Sequence, residues 1–243
     1  VYIEADTVAT AQPIESSTYG SEKVWPTDIN RMHMDSISPV DSTGSQASIT
    51  ANNVTSESGN IGNCLRFNGS SSYINLGAAI LPLGDFTQSI WFAPDDLVGI
   101  EGLMGNWVSA QVGRTYLGIN ATQLNWDGYA TASNTGGTTI TALAWQKFTV
   151  TRTGSTARRY LNGVQVGADI TDAGVPNTSF NTFIGALGQG GSNFFDGLLG
   201  DNYLTNVYKN GNSLLSEYNN QSSPSSFWTT GAWEDQDASI TII

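Results

Sequence analysis

The sequence is poor in the residues that build metal, redox and nucleophilic sites: it has one cysteine and one histidine in 243 residues. A lone Cys64 cannot form an intramolecular disulfide, and no CxxC zinc pattern is present. A lone His33 excludes any site that needs two histidines. We predict that Cys64 is an inert buried thiol, because free cysteine is among the most buried residue types. His33 lies between Met32 and Met34, and this alternation indicates a structural role.

Basic residues are also scarce, with 9 Lys and Arg against 21 Asp and Glu and a formal net charge of −12. A nucleic-acid-binding protein needs a basic surface, so this charge balance argues against nucleic acid as a partner. It also disfavours anionic membrane surfaces. No apolar run approaches the roughly 20 residues of a transmembrane helix, so we expect no membrane insertion.

What the sequence does have is enough apolar material for a core: 39% hydrophobic and 10% aromatic residues. This composition argues against wholesale disorder, although only 12% of the residues are charged. The chain begins with Val1 and shows no signal peptide. We therefore expect a processed product or a fragment.

The residue pattern predicts an all-β protein. Short runs of Thr, Val, Ile, Tyr, Phe and Trp are interrupted by Gly, Asn, Asp and Ser roughly every 8 to 15 residues, which is typical of a sandwich or barrel. Apolar residues alternate with polar ones in Lys147-Phe148-Thr149-Val150-Thr151-Arg152, as in a strand with one buried face. The predicted strands are 64–67, 73–76, 88–93, 116–119, 147–153, 157–161, 182–184 and 203–207.

Two further local predictions follow from short motifs. Asn162-Gly163 predicts a two-residue hairpin turn, because both residues tolerate the positive φ angles of a type I′ turn. Residues 212–218 form the one plausible helix, with Ser213 as a candidate cap. The segments 1–5 and 238–243 have strand-like patterns. The second is strongly apolar and needs a pairing partner, either the N-terminal strand or a strand of another chain.

Six segments in order resemble one family. They are Leu65–Gly77, Asp85–Phe92, Trp145–Thr151, Tyr160–Gly163, Ile184–Ala186 and Phe195–Leu199. Together they resemble the laminin-G-like, concanavalin A-like lectin and glucanase jelly rolls, in the branch found in bacterial, archaeal and phage surface proteins. The resemblance runs from about residue 24 to about residue 233.

The resemblance implies a two-sheet antiparallel jelly-roll sandwich with one short helix near the C-terminus. Residues 23–235 would form the jelly roll, and residues 236–243 a further strand. Residues 1–22 resemble either an extension or the end of a preceding β-domain.

Catalysis is not expected. Glucanase relatives carry Glu-x-Asp-x-x-Glu on one strand, so that alternate carboxylates point into one cleft and act as acid and base. None of the glutamates here stands in that pattern. We predict that the protein is not an enzyme.

The resemblance also implies a structural calcium ion, because relatives often hold one at the sandwich edge. Calcium prefers six to eight oxygen ligands, so the candidates are loop acids: Asp41, Asp196 and Asp201. Each has an alternative: an Asx turn with the residues after it for Asp41, and a solvated turn for the other two. The family usually has an acidic pair after its closing strand, where this chain has Leu199-Gly200-Asp201-Asn202.

Sugar binding is the other candidate function, since sugar sites combine an aromatic face with planar polar side chains. Trp107, Trp126 and Tyr129 have polar and glycine neighbours, which predicts rim or loop positions for their rings. Trp91 and Trp145 fall on core strands of the family pattern and are predicted to be structural.

Two hypotheses remain open for the function. The first is a binding or adhesion module directed at a glycan or a cell-surface receptor. The second is a structural decoration, fibre or filament subunit that assembles with other virion or surface-protein subunits through its terminal strands. Both place the protein outside the cell, on a cell surface or on a virion.

Overall fold

The structure, a computed structural model, describes residues 26–46, 48–109, 113–130 and 134–223. The predicted strands at 1–5 and 238–243 and the predicted segments 1–22 and 236–243 lie outside these residues. The elements are β1 (Asp28–Met32), β2 (Thr50–Asn52), β3 (Thr55–Ser58), β4 (Asn63–Asn68), β5 (Tyr73–Asn75), β6 (Phe86–Pro94), β7 (Ile100–Gly105), β8 (Tyr116–Asn120), β9 (Gln123–Asp127), β10 (Asn134–Thr139), β11 (Gln146–Thr153), β12 (Thr156–Leu161), β13 (Val164–Thr171), β14 (Phe183–Ile184), β15 (Asp196–Thr205) and α1 (Gly211–Ser222).

The strands form two antiparallel sheets packed face to face. An eight-stranded sheet has the order β13-β12-β11-β6-β15-β4-β3, with β1 also paired to β15. A seven-stranded sheet has the order β10-β9-β8-β7-β14-β5-β2. This is the predicted concanavalin A-like jelly-roll sandwich.

The core lies between the sheets and is built by alternation. Inward residues of β6, such as Ile90 and Phe92, pack with Phe148 and Val150 of β11 and with the inner face of the opposite sheet. Fully buried side chains of this kind each contribute roughly 1.5–3 kcal/mol through the hydrophobic effect. The core also includes Met32, Leu65, Phe67, Ile74, Leu117, Ile119, Leu124, Trp126, Ile184 and Leu199.

Most of the predicted strands are confirmed, and so is the hairpin turn. Asn162 and Gly163 have φ angles of 53° and 79° and connect β12 to β13. The helix is confirmed but longer than predicted. Its N-cap is Asn210 rather than Ser213, because Asn210 Oδ1 accepts a hydrogen bond from the backbone N–H of Ser213.

Cys64 is fully buried, and burial raises the pKa of its thiol, as expected for an inert cysteine. Met32 and Met34 are also buried. The His33 ring between them is half-exposed, with its Nδ1 2.8 Å from Oδ1 of Asp201. That contact raises the pKa of His33 against the opposing effect of burial. No helix among the described residues is long and apolar enough to cross a membrane.

Every residue of β6 is buried, because α1 covers part of the outer face of the eight-stranded sheet. The ring of Trp91 stacks on Tyr218 of the helix at a centroid distance of 5.5 Å, and its indole N–H donates to Gln221 Oε1 at 2.9 Å. Leu214 is the buried apolar residue of the helix. The helix is therefore held by a mixture of aromatic and polar contacts.

A carboxylate–ammonium cluster joins the helix to this sheet face. Glu217 accepts hydrogen bonds from Lys147, from Lys209 (2.9 Å) and from the Tyr203 hydroxyl (3.0 Å). Burial alone would raise the pKa of Glu217, but the two lysines outweigh burial and hold that pKa at about 2. Burial lowers the pKa of Lys147, and Glu217 opposes that effect. The carboxylate and the buried ammonium thus depend on each other.

We expect Glu217→Gln to lower the free energy of unfolding at pH 7 by about 2–3 kcal/mol. The folded-state pKa of about 2 lies below the value of 4.5 for an unperturbed glutamate, so ionised Glu217 stabilises the fold. This contribution is present above about pH 4.5 and is lost as the pH falls toward 2. Urea unfolding at pH 7, 4.5 and 3 measures it.

The control is Glu57→Gln, which removes an exposed carboxylate paired with Arg66. That change should cost at most about 1 kcal/mol, because exposed ion pairs contribute little. Equal losses for the two variants at pH 7 would contradict the role given to Glu217.

Candidate binding site

The candidate site lies on the outward face of the seven-stranded sheet, where β8 and β9 pair. Leu117 and Ile119 of β8 point into the core, so Tyr116 and Gly118 point outward. Asp127 lies directly opposite Tyr116 in the register, and Asn125 lies opposite Gly118. The alternation therefore places an aromatic ring, an amide and a carboxylate on the outward side of the sheet, where all three residues are buried: Tyr116 is 3% exposed, Asn125 0% and Asp127 2%.

Tyr116 and Asn125 form a fixed pair on this surface. Asn125 Nδ2 donates to the Tyr116 hydroxyl. The Tyr116 ring lies along its own strand over Gly118, where a Cβ atom would come within 2.8 Å of ring carbon Cε2. A side chain at position 118 would displace the ring, so this glycine allows it to lie flat.

Trp107 stands beside this pair, two residues after the end of β7. Its indole N–H donates to Oδ2 of Asp127 at 3.0 Å. Its ring meets Tyr116 edge-on at a centroid distance of 6.3 Å, and the Arg114 guanidinium lies 5.4 Å from its ring centroid. Trp107 is half-buried, so part of its indole reaches the surface.

Asp127 organises the cluster. Only 2% of it is exposed, and its Oδ2 also lies 3.3 Å from Nε of Arg114. Burial raises the pKa of Asp127, and the contacts with Arg114 and Trp107 oppose that rise. Its other oxygen, Oδ1, is buried without a hydrogen-bond partner. Asp127 therefore holds Trp107 and Arg114 in place from below.

Backbone contacts fix the segments on either side of Trp107. The side chain of Asn106 accepts from the N–H of Thr115 at 2.9 Å and donates to the carbonyl of Asn177 at 2.8 Å. The N–H of Gly188 donates to the carbonyl of Trp107 at 3.1 Å. Three separate parts of the chain thus fix the backbone that carries the ring.

The loop that contains Gly188 lies against the same sheet. Gly188, Gln189 and Gly190 all have positive φ angles between 58° and 77°, and the N–H of Gly190 donates to the carbonyl of Leu187 at 3.1 Å. The side chain of Leu187 packs against Gly102 of β7. A Cβ atom on Gly102 would lie 2.6 Å from Cγ of Leu187 and would clash with it. A tight, glycine-dependent loop therefore borders the candidate site.

Of the three predicted aromatic residues, Trp107 alone lies at this surface. Trp126 is fully buried, because Leu124 and Trp126 alternate inward along β9 and pack in the core. Tyr129 is 3% exposed, and its hydroxyl donates to the carbonyl of Pro82 at 3.1 Å. The predicted rim positions of Trp126 and Tyr129 are wrong, and neither ring offers a face to a sugar.

Asp41, the first predicted calcium ligand, is buried in its own turn. Its carboxylate accepts from the backbone N–H groups of Arg31 (2.8 Å), Thr43 (3.2 Å), Ser45 (3.1 Å) and Gln46 (3.1 Å), and from the Thr43 hydroxyl (2.6 Å). Of the two alternatives for Asp41, the structure shows the Asx turn. Backbone N–H groups and one hydroxyl therefore surround this carboxylate.

The other two predicted ligands lie in different surroundings. Asp201 is buried, and its carboxylate lies 3.6 Å from Nη1 of Arg31 and 2.8 Å from Nδ1 of His33. Asp196 is half-buried at the start of β15, where burial raises its pKa and the nearby Asp95 adds to that rise.

Two of the predicted trio, Asp41 and Asp201, thus have N–H or cationic partners within the chain. Among the described residues, no group of three or more His, Cys, Asp or Glu side chains could hold a metal ion. We derive no chemistry from calcium, and a calcium requirement stays a prediction.

Glu101 is a titratable group of β7 with 5% exposure. Burial raises its pKa to about 7. The hydrogen bond that its Oε2 accepts from the N–H of Asp196 (3.1 Å) opposes this rise, while Asp96, Asp196 and Asp95 add to it. Its contacts link β7 to the start of β15 and give it a structural position.

Sequence reasoning missed Arg114, Tyr116, Asn125 and Asp127. The signal was present: Tyr116-Leu-Gly-Ile and Gln123-Leu-Asn-Trp-Asp both alternate as strands with one polar face. Asn and Asp in the second segment resembled loop residues, so the outward face of β9 was overlooked.

The chain belongs to the concanavalin A-like lectin/glucanases superfamily, whose sequence pattern matches residues 68–208, more than half of the chain. This agrees with the jelly-roll sandwich seen in the structure. No curated protein matches the chain.

Solved structures share the fold at low sequence identity. Domain 4 of AbnA, a GH43 extracellular arabinanase from Geobacillus stearothermophilus in complex with arabinotriose, is 17% identical with a TM-score of 0.62. The match covers 78% of this chain and 97% of that domain. The botulinum neurotoxin type G receptor-binding domain is 16% identical with a TM-score of 0.61, covering 80% of this chain but 51% of that domain.

The Trypanosoma rangeli sialidase in complex with the inhibitor DANA is 14% identical with a TM-score of 0.58. That match covers 78% of this chain and 32% of the sialidase. The chain thus spans nearly the whole arabinanase domain, about half of the toxin domain and a third of the sialidase. At these identities the likeness shows a shared fold.

We expect Glu101→Gln to raise the free energy of unfolding at pH 8 by about 1–3 kcal/mol and to change it little at pH 4. The folded-state pKa of about 7 exceeds the value of 4.5 for an unperturbed glutamate. Stability therefore falls as the pH rises between these values, since the folded state holds the proton longer. Gln keeps the acceptor for the N–H of Asp196 and removes the buried charge.

Chemical unfolding at pH 4, 6 and 8 measures this change. Asp35→Asn, at an exposed carboxylate, is the matched control and should show no such pH-dependent gain. A gain of the same size at pH 4 and pH 8 would exclude Glu101 ionisation as its cause.

Proposed function

We propose that this chain is a non-catalytic binding module that recognises a glycan, alone or as part of a cell-surface receptor, at the surface around Trp107. The observation that carries the proposal is the half-buried side chain of Trp107, whose indole is fixed by the hydrogen bond to Asp127 and by Arg114. Sugar rings pack on such indoles, while nearby planar polar groups bind their hydroxyls.

The rigidity of the surface supports this proposal. Tyr116, Asn125 and Asp127 stand on paired strands, and Asn106 fixes the loop that carries Trp107. A preorganised site loses little side-chain entropy when a ligand binds.

The non-catalytic part rests on the carboxylates. A glycosidase needs two carboxyl groups that reach the scissile bond. At the proposed site Asp127 is buried beneath Trp107, and Glu101 of β7 is buried with its carboxylate hydrogen-bonded to the N–H of Asp196. Neither can approach a bound sugar without rearrangement of the contacts described above.

The relatives' names point the same way. One is an arabinanase domain in complex with arabinotriose, and another is the receptor-binding domain of a neurotoxin. We propose an extracellular placement for this chain, on a cell surface or a virion, where such modules meet glycans. Its net charge of −12 is compatible with that setting.

Assembly with other virion or surface-protein subunits through the terminal strands is retained as the alternative. Those strands lie outside the described residues. Mass photometry on the purified chain distinguishes the two: ordered large particles without glycan affinity favour assembly.

The test of the proposed function is a glycan-array screen that includes arabinan oligosaccharides, run with Ca²⁺ and again with a chelator. We expect Trp107→Ala to weaken binding of any glycan hit at least tenfold, about 1.4 kcal/mol, because the stacking surface is lost. Asp127→Asn should weaken it less, since the ring remains but its anchor changes.

Trp145→Ala is the matched control, because Trp145 is also half-buried but packs beside Gly200 on the opposite sheet. It should leave affinity unchanged. Undiminished binding by a folded Trp107→Ala variant would exclude this site. Binding that the chelator removes would support the predicted calcium ion.

A further inference from the structure

The charged side chains of this acidic protein are distributed unequally between its two sheets. Every strand of the eight-stranded sheet except β6 carries at least one charged side chain. In the seven described strands of the other sheet, the charged residues are Glu101 and Asp127, and both are buried. The strands beneath the surface around Trp107 therefore expose no charged side chain, although the net charge of the chain is −12.

The segments that border the surface around Trp107 are also poor in charge. From residue 102 to residue 146, the charged side chains are those of Arg114 and Asp127. Residues 173–195, which include the glycine-dependent loop beside Trp107, contain no Asp, Glu, Lys, Arg or His. A ligand at this surface would therefore meet polar groups that are almost all neutral.

The loop beside Trp107 supplies such a neutral group. Gln189 follows Gly188, whose N–H donates to the carbonyl of Trp107 at 3.1 Å. Gln189 is exposed, and its φ of 60° is a strained backbone conformation for a residue other than glycine. Its Nε2 donates to the carbonyl of Asn181 at 3.1 Å, which holds the amide in place. An amide can donate to and accept from a sugar hydroxyl without contributing charge.

The charge of Arg114 is compensated within the site. Its Nε lies 3.3 Å from Oδ2 of Asp127, and its side chain is 23% exposed. The same oxygen accepts the indole N–H of Trp107 at 3.0 Å. Hydrogen bonds to a carboxylate favour its charged form. The pair of Arg114 and Asp127 therefore brings a net charge close to zero to the surface.

We propose that the surface around Trp107 selects uncharged glycans, and that Asp127 is the positioning residue that sets this selectivity by neutralising Arg114. This inference rests on the proposed function and names the class of glycan that the site takes. A sugar carboxylate on the indole would lose part of its hydration and would find Arg114 already paired. Desolvation of a charge without a partner is costly, and the net charge of −12 adds repulsion. A neutral sugar meets neither penalty.

Glycan pairs that differ by a carboxylate test this selectivity. The probes are galactotriose with trigalacturonic acid, lactose with sialyllactose, and every array hit with its carboxylate-bearing or carboxyl-reduced counterpart. At pH 7 and low salt, we expect the unmodified chain to bind the uncharged member at least about tenfold more tightly. The ratio should shrink at high salt, because the screening length falls to about 3 Å at 1 M.

Asp127→Asn removes the charge partner of Arg114 and keeps a side chain of the same shape. We expect this variant to bind the carboxylate-bearing members at least about threefold more tightly than the unmodified chain does, while its affinity for the uncharged members falls. A purely structural role for Asp127 would lower both affinities together. The matched control is Asp169→Asn, which makes the same change in net charge at an exposed carboxylate, 2.6 Å from Arg158 in the opposite sheet. It should leave the ratio unchanged.

Two results would overturn the inference while the proposed function stands. One is tighter binding of the carboxylate-bearing members by the unmodified chain. The other is an Asp127→Asn variant that loses affinity for both members in equal proportion. The salt series needs no variant, so it decides the question where Asp127→Asn does not fold: a ratio that is the same at low and high salt would contradict selection by charge. Absence of any glycan hit would instead contradict the proposed function, and this inference with it.

Discussion

The sandwich depends on strand β15, because three other strands pair with it. Its first half, Asp196–Leu199, pairs with β4, and its second half, Asn202–Thr205, pairs with β1. Along its other edge it pairs with β6, with a register shift between Leu199 and Asn202. That irregularity at Gly200 and Asp201 separates the two halves, so one strand pairs with β4 and β1 along one of its edges and with β6 along the other. The buried rows of the core follow from this pairing.

Two glutamates, the half-buried Glu217 and the buried Glu101, have opposite electrostatic surroundings in this framework. Glu217 has two ammonium groups within reach, so its charge is compensated where α1 meets the sheet. Glu101 has a single N–H partner and carboxylates as neighbours, so its charge is uncompensated. Burial is common to both residues, and the sign of the surrounding charge decides whether ionisation stabilises or destabilises the fold. A chain with few basic residues can supply cationic partners for one such carboxylate more easily than for two.

Much of the fold could be predicted from sequence, because short-range chemistry determines it. Alternation identified β11, and the Asn162-Gly163 turn identified the β12–β13 hairpin. The site could be predicted only in part. Trp126 and Tyr129 lie among residues that are common in loops, and whether a ring points inward depends on the pairing of β9 with β8. Asp41 and Asp201 find partners in β1, which no local pattern reveals. Asn210 and Ser213 are equally good caps on composition, and packing of the helix selects between them.

Trp91 and Trp126 occupy such different surroundings that each would report on a different event by its fluorescence. Trp91 stacks on Tyr218 and is hydrogen-bonded to Gln221, so its emission is tied to the docking of α1. Trp126 has no solvent contact and belongs to the interior of the sandwich. Departure of the helix would therefore alter the spectrum of the first indole while that of the second stayed constant. The surface helix and the core of the protein therefore each contact or contain a tryptophan whose fluorescence reports on that part of the structure.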